Sequence, residues 1–372
     1  MNFTRLLEVM TRHQASDMFI TADKEPSIKV DGRLQAISGS KLSREQARQM
    51  VLSVMNASQK AAFETSHECN FAIVAEGLGR FRVSAFVQRD CAAMVLRRIQ
   101  TEIPTHTQLG LPPVLSELVM SKRGLILMVG GTGTGKSTSL AALIRHRNEN
   151  SSGHIITIED PLEFVHEHAG CIVTQREVGI DTESYEIALK NTLRQAPDVI
   201  LIGEIRSQET MQQAITFAET GHLCLSTLHA NNANQALDRI LHFFPEEMHP
   251  QLLMDLSLNL RAVVAQQLIR NAAGGGRHAA IEILVNTPRA ADLIRKGEIH
   301  KLKELMKHSR TQGMQTFDQC LFDLYRAGKI GYDDALSAAD SQNEVRLMIK
   351  LAEESGHTGD GSDDLTLELE DE

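Results

Sequence analysis

"GLILMVGGTGTGKST", residues 124–138, is the stretch on which the fold turns. It begins as an apolar run without polar alternation, the pattern of a strand buried on both faces. It then turns through a Gly-x-x-x-x-Gly-Lys-Ser spacing at Gly130, Gly135, Lys136 and Ser137, and continues as the amphipathic helix "KSTSLAALIRHR". Glycines there let the backbone fold tightly and aim N–H groups at phosphate oxygens, and the new helix adds the positive end of its dipole. Lys136 is placed to meet the β- and γ-phosphates and Ser137 to ligate Mg²⁺. Gly130, Gly131, Thr132, Gly133, Thr134, Gly135, Lys136, Ser137 and Thr138 form the candidate cradle for a nucleoside triphosphate.

Strands and helices alternate outward from the cradle, over about 115–285. "HIITIED", "DVILIGE" and "HLCLSTLH" read as strands, and "SYEIALKNTLRQA", "QETMQQAITFAET" and "NQALDRILHFF" as helices, with Gly221 as a natural C′ residue. The pattern predicts an α/β domain with a mainly parallel sheet, whose ligands bind at the carboxyl ends of its strands. At that edge stand Glu159, Asp160 and Glu163 of "IITIEDPLEF", able to order Mg²⁺ waters or activate an attacking water. The buried strand of "PDVILIGEIRS" ends on Gly203-Glu204 where an aspartate is usual; glutamate has the same charge on a longer arm, and Gly203 leaves room beside it. Glu204 either holds the metal through water or pairs with Arg206. In "TGHLCLSTLHA", His229 at the strand's end faces the γ-phosphate, whereas His222 near its start either hydrogen-bonds the acidic strand ends or is structural.

Residues 1–100 read as a separate small α/β domain. Residues 4–13 have helical spacing, "DMFITA" and "PSIKVDGRLQAI" alternate around a turn at Asp31-Gly32, and Ser43 is an N-cap for "SREQARQMVLSVM". "CNFAIVAE", "GRFRVSAFVQRD" and "CAAMVLRRI" supply further strands. Arg80 and Arg82 share one strand face, and Arg89, Arg97 and Arg98 are near in sequence. These guanidiniums are either an exposed basic face or, with Arg82 and Arg97 as candidates, a source of charge for a phosphoryl transition state. Residues 101–114 carry three prolines and one glycine and read as a linker. A helical region over 286–355 is broken by Gly297, Gly313, Gly328 and Gly331, and residues 356–372 read as a disordered acidic tail.

Composition narrows the classes. The chain has 372 residues and a net charge of −10, which disfavours general nucleic-acid binding. Five scattered cysteines without a C-x-x-C pair argue against a disulfide framework and a zinc site. The charged, amphipathic start is unlike a signal peptide, and no apolar run nears the ~20 residues needed to cross a bilayer.

"GGTGTGKST", "IITIEDPLEF", "PDVILIGEIRS" and "TGHLCLSTLHA" together resemble the Walker A, Asp box, Walker B and His box of the secretion-ATPase superfamily. "SDMFITADKEPSIKVDGRL" and "GRFRVSAFVQRD" resemble the amino-terminal domain of its type IV pilus retraction branch, and the acidic tail is more like the accessory members than the main motors. The resemblance implies a RecA-like P-loop core, a PAS-like first domain and a homohexamer binding ATP and Mg²⁺. It also implies Glu163 as catalytic base, Glu204 as Mg²⁺ holder through water, and arginines supplied by amino-terminal domains. Implied partners are an inner-membrane platform protein and a related retraction ATPase, for a chain in the cytoplasm, peripheral at the inner membrane. Two departures stand out: "RAADLIRK" (289–296) where main motors carry A-I-R-N-L-I-R-E, and Ser207 where aspartate is common after Walker B. Competing readings are an extension or type II secretion ATPase, a RecA-like DNA translocase, and a nucleotide-dependent coupling subunit.

Overall fold

In a computed structural model of the chain, residues 3–30, 32–99 and 102–357 are described. The first domain comprises α1 (Phe3–Arg12), β1 (Asp17–Ile20), β2 (Ser27–Val30), β3 (Arg33–Ala36), α2 (Arg44–Ser53), α3 (Ala57–Ser66), β4 (Glu68–Ala75), β5 (Gly79–Gln88) and β6 (Cys91–Arg98). Then come α4 (Pro113–Val119), β7 (Gly124–Val129), α5 (Lys136–Asn150), β8 (Gly153–Glu159), β9 (Cys171–Glu177), α6 (Tyr185–Thr192), β10 (Val199–Ile202), α7 (Gln208–Glu219), β11 (Leu223–Leu228), α8 (Ala233–His242) and α9 (His249–Asn259). β12 (Leu260–Arg270) and β13 (Arg277–Val285) precede α10 (Pro288–Arg295), α11 (Leu302–His308), α12 (Phe317–Arg326), α13 (Tyr332–Ala338) and α14 (Gln342–His357).

The chain alternates between two compact units. One gathers residues 1–105, 119–124 and 140–227; the other gathers 106–118, 125–139 and 228–372. The first unit holds an antiparallel sheet in the order β3-β2-β1-β6-β5-β4. Without tryptophan, its core relies on Phe63, Phe71 and Phe81 with Leu6, Met10, Met18, Ile28 and Leu96. Alternation works as expected in β5, where Phe81, Val83 and Ala85 are buried and Arg80 and Arg82 lie on the other face. Ser43 caps α2, accepting from the Gln46 N–H at 3.2 Å while the Gln46 side chain accepts from Ser43 N–H at 2.9 Å.

The same unit contains a parallel ladder in which β10 pairs with β11 and with β8, and β8 with β9. Val199 is level with Ile155 and Leu223, and Ile202 with Ile158 and Ser226. This register brings the ends of β8 and β10 together and sets Glu177 beside Glu159.

In the second unit β12 pairs in parallel with β7 and antiparallel with β13. Leu125–Val129 and Ala262–Ala265 are almost wholly buried, which is why both read as uninterrupted apolar runs. The glycine breaks of the C-terminal helices fall as expected: Gly297 and Gly328 follow α10 and α12, and Gly331 is the N-cap of α13.

Several boundaries differ from the expectation. The stretch read as linker is divided, its part from His106 onward belonging to the second unit, where α4 begins at Pro113 and buries Leu115. α14 runs to His357, two residues into the segment read as tail. Asp31 of the first turn, Thr101 of the linker and residues 358–372 of the tail lie outside the described residues. No helix of the described residues is long and apolar enough to cross a membrane.

Candidate functional site

The phosphate loop joins β7 to α5 within the second unit. Its shape is enforced by close approach: a Cβ on Gly130 would lie 2.6 Å from the Gln266 carbonyl, and one on Gly135 would lie 2.8 Å from Gln266 Nε2. Gln266, on β12, clamps the loop with both ends of its amide. Nε2 donates to the Thr134 carbonyl at 2.9 Å, and Oε1 accepts from Ser139 Oγ at 2.8 Å. Thr134 Oγ1 also donates to the Gly131 carbonyl. Lys136 is buried and folds back over the loop, donating to the carbonyls of Gly130 at 2.8 Å and Gly131 at 2.7 Å. Thr132 and Gly133 are exposed at the loop's crest, and Ser137 and Thr138 are half-buried in the first turn of α5.

Two cavities adjoin this loop. One of about 500 Å³ is lined by Gly131, His229, Asn231, Asp238, Arg239 and His242. His229 leaves β11 here, so it shares a cavity with the loop. The other, about 600 Å³, is lined by Gln108, Leu109, Gly135, Thr138, Arg277 and His278 among others.

The carboxylates stand in the first unit. Glu159 ends β8 and is mostly buried; burial drives its pKa up to about 7 against hydrogen bonds from Thr157, Gln175 and the Glu163 backbone N–H. Thr157 Oγ1 donates to it at 2.7 Å. Asp160 and Glu163 are exposed on the turn that follows. Glu204 leaves β10 and is held by Arg206, whose Nε and Nη2 lie 2.7 and 2.6 Å from Oε2. The pairing weighed as an alternative for Glu204 is therefore present. Room at Gly203 serves a different neighbour than expected: a Cβ there would lie 2.8 Å from Tyr185 Oη and 3.1 Å from Glu159 Cα.

The arginines divide. Arg80 reaches Glu177 and Asp181, at 3.6 Å from each. Burial raises the pKa of Glu177, with Arg80 and then Arg82 opposing, so Arg82 also lies within electrostatic range of this acidic pair. Arg97 turns elsewhere, with Nε 2.8 Å from Asp17 Oδ1. That ion pair ties β6 to β1. His222 is corrected. It precedes β11, and the parallel register sets the starts of β10 and β11 level, so His222 stands at the opposite end of the ladder from Glu159 and Glu204. Its Nδ1 lies 3.1 Å from Thr220 Oγ1 and 3.2 Å from the Phe217 carbonyl.

Sequence reading missed Gln266, Glu177 and Tyr185. Gln266 had a signal, a polar residue inside the apolar run "AVVAQQLI". Tyr185 and Glu177 had none, because only strand register and helix placement bring them to the carboxylates. Among the described residues no cluster of acidic, histidine or cysteine side chains forms a protein cage for a metal. The Ser137 hydroxyl, half-buried in the first turn of α5, is an oxygen donor of the kind Mg²⁺ takes alongside waters and phosphate oxygens.

A family model described as "Type II/IV secretion system protein" matches residues 2–322. The type IV pilus ATPase PilU of Pseudomonas aeruginosa is 62% identical over 374 residues, covering 100% of this chain and 98% of that protein. The type IV pilus retraction ATPase PilT of the same organism is 40% identical over 339 residues, covering 91% of this chain and 98% of that protein. Among solved structures, the pilus retraction motor PilT with bound ADP superposes with a TM-score of 0.87 at 38% identity, covering 93% of this chain and 99% of that one.

Proposed function

This chain belongs to the type II/IV secretion system protein family, and we propose that it is an ATP-hydrolysing motor subunit of type IV pilus retraction, accessory to a main retraction ATPase. The carrying observation is Lys136. Its ammonium is buried and satisfied by two carbonyls of its own loop, so a triphosphate needs only to take over a cation already in place. The cavity lined by Gln108, Leu109, Arg277 and His278 borders Gly135 and Thr138 and is large enough for the nucleoside.

Lys136 and the loop N–H groups bind the phosphates, Glu163 takes the proton of the attacking water, and His229 senses the terminal phosphate. Ser137 and Glu204 would hold Mg²⁺, which when bound neutralises charge on the phosphate oxygens. Arg82, with Arg80, supplies positive charge from the first domain. The working form is a homohexamer at the cytoplasmic face of the inner membrane, engaging the pilus platform protein and a related ATPase.

Steady-state turnover measured on a sized sample tests this reading. A hexamer that hydrolyses ATP, and a Lys136→Ala variant that does not, is the expected outcome; equal turnover in the two proteins removes the site assignment. A second reading, a coupling subunit with slow hydrolysis, draws on the Glu204–Arg206 ion pair, which occupies a carboxylate the reaction needs. It predicts that turnover stays low until the related ATPase is added.

A further inference from the structure

The segment after β8 carries Glu163 in an alternating run: Leu162, Phe164 and His166 are buried, and Glu163 and Glu167 are exposed. Phe164 packs against Ile103 and Ala141. Burial pushes the pKa of His166 down to about 4, so its ring stays neutral and anchors the inner face without charge. The outward direction of Glu163 follows from this register, and a slip of one residue would turn it inward. Burial of Phe164 alone would hold the segment near the sheet without fixing that register, because apolar contact is non-directional.

Gln175 supplies the direction. It lies on β9, level with Thr157 of β8. Its Oε1 accepts from the His166 N–H at 2.7 Å, and its Nε2 donates to the Phe164 carbonyl at 2.9 Å. One amide thus meets a C=O and the N–H two residues later, as a neighbouring parallel strand would, and satisfies backbone groups drawn out of water. The same side chain hydrogen-bonds Glu159, whose carboxylate also takes the Glu163 N–H and, at 2.7 Å, the Thr157 hydroxyl. The backbone is therefore gripped at Glu163 itself and again just after it, by groups that meet on Gln175.

We propose that Gln175 is a positioning residue for ATP cleavage: by binding the Phe164 carbonyl and the His166 N–H at once, it fixes the direction in which Glu163 presents its carboxylate for water activation. This rests on the reading of Glu163 as the base.

The full-length Gln175→Ala protein tests it in two ways. Amide hydrogen exchange, followed by mass spectrometry without nucleotide, should quicken about tenfold in peptides covering 162–166 and keep its wild-type rate over the phosphate loop. Steady-state turnover should fall about tenfold to a hundredfold, while KM for ATP and directly measured nucleotide affinity stay unchanged. That loss should vanish in a Glu163→Gln background, where no carboxylate is left to aim; a tie that only holds the fold together would cost the same in both backgrounds. Unchanged exchange over 162–166, wild-type turnover in Gln175→Ala, or equal losses in the two backgrounds each overturn the proposal. Should Gln175→Ala not fold, Gln175→Glu keeps the volume and the acceptor for the His166 N–H but loses the amide donor to Phe164, and the same outcomes decide. Failure of the base reading looks different: Glu163→Gln then turns over like wild type with Gln175 untouched, and the proposal falls with it.

Discussion

The phosphate loop and the carboxylate edge are built in contrasting ways. The loop is one continuous segment, Gly130–Thr138, whose geometry follows from backbone sterics and the start of a helix. The edge is collected from four places in the chain: Glu159 from β8, Glu177 from β9, Tyr185 from α6 and Glu204 after β10. Each arrives by strand register or helix capping rather than by its immediate neighbours in sequence. A contiguous site depends on local conformation, so side-chain loss there should weaken ligand binding. A collected site depends on packing, so small volume changes should misalign it while binding survives.

The largest effect tests the first half of that contrast. Lys136→Ala should lower turnover on the order of a thousandfold, because a desolvated cation aimed at the phosphates is removed. Nucleotide affinity, followed with a fluorescent analogue, should fall with it; retained affinity would break the contrast. Gly203→Ala should give the opposite signature. The new methyl meets Tyr185 Oη and the Glu159 backbone, so turnover should drop on the order of tenfold to a hundredfold while affinity is kept. Gln266→Ala should behave as a weaker loop variant. Losing both amide contacts costs about 1–3 kcal/mol in thermal or denaturant unfolding, with affinity reduced before turnover.

Glu282 belongs to neither region and serves as a control. It lies almost fully buried on β13, accepts from the Ala233 N–H at 2.9 Å, and has its second oxygen unpaired. Burial lifts its pKa from 4.5 to about 7. The native state therefore binds this proton more tightly than the unfolded chain does. Stability should fall as pH rises from about 4.5 to about 7 and level off above, by an amount of order 3 kcal/mol. Glu282→Gln should flatten that slope in urea titrations at several pH values without changing turnover as the other variants do.

The same contrast explains what the sequence disclosed. "GGTGTGKST" was legible because loop conformation is written in adjacent residues, and Ser43 was legible because a cap is local. Glu159 and Glu204 could be placed at strand ends because each closes an apolar run. The partners of Arg97 and His222, Asp17 and the Phe217–Thr220 turn, were not legible, because they are set by strand pairing and chain reversal that residue type does not announce. β9, β12 and β13 were not singled out either. β9 carries exposed Ile172 within a half-polar stretch, and β12 continues without a break from α9, so its apolar run does not declare its period.

The amide of Gln266 has a consequence for how this protein would age. It must give a proton at one end and accept one at the other, so its two terminal atoms are not interchangeable. Hydrolytic deamidation would exchange a nitrogen for an oxygen, leaving shape and volume almost untouched. An acceptor would then face the Thr134 carbonyl, and the nucleotide grip would be spoiled by chemistry that no change in the gene records.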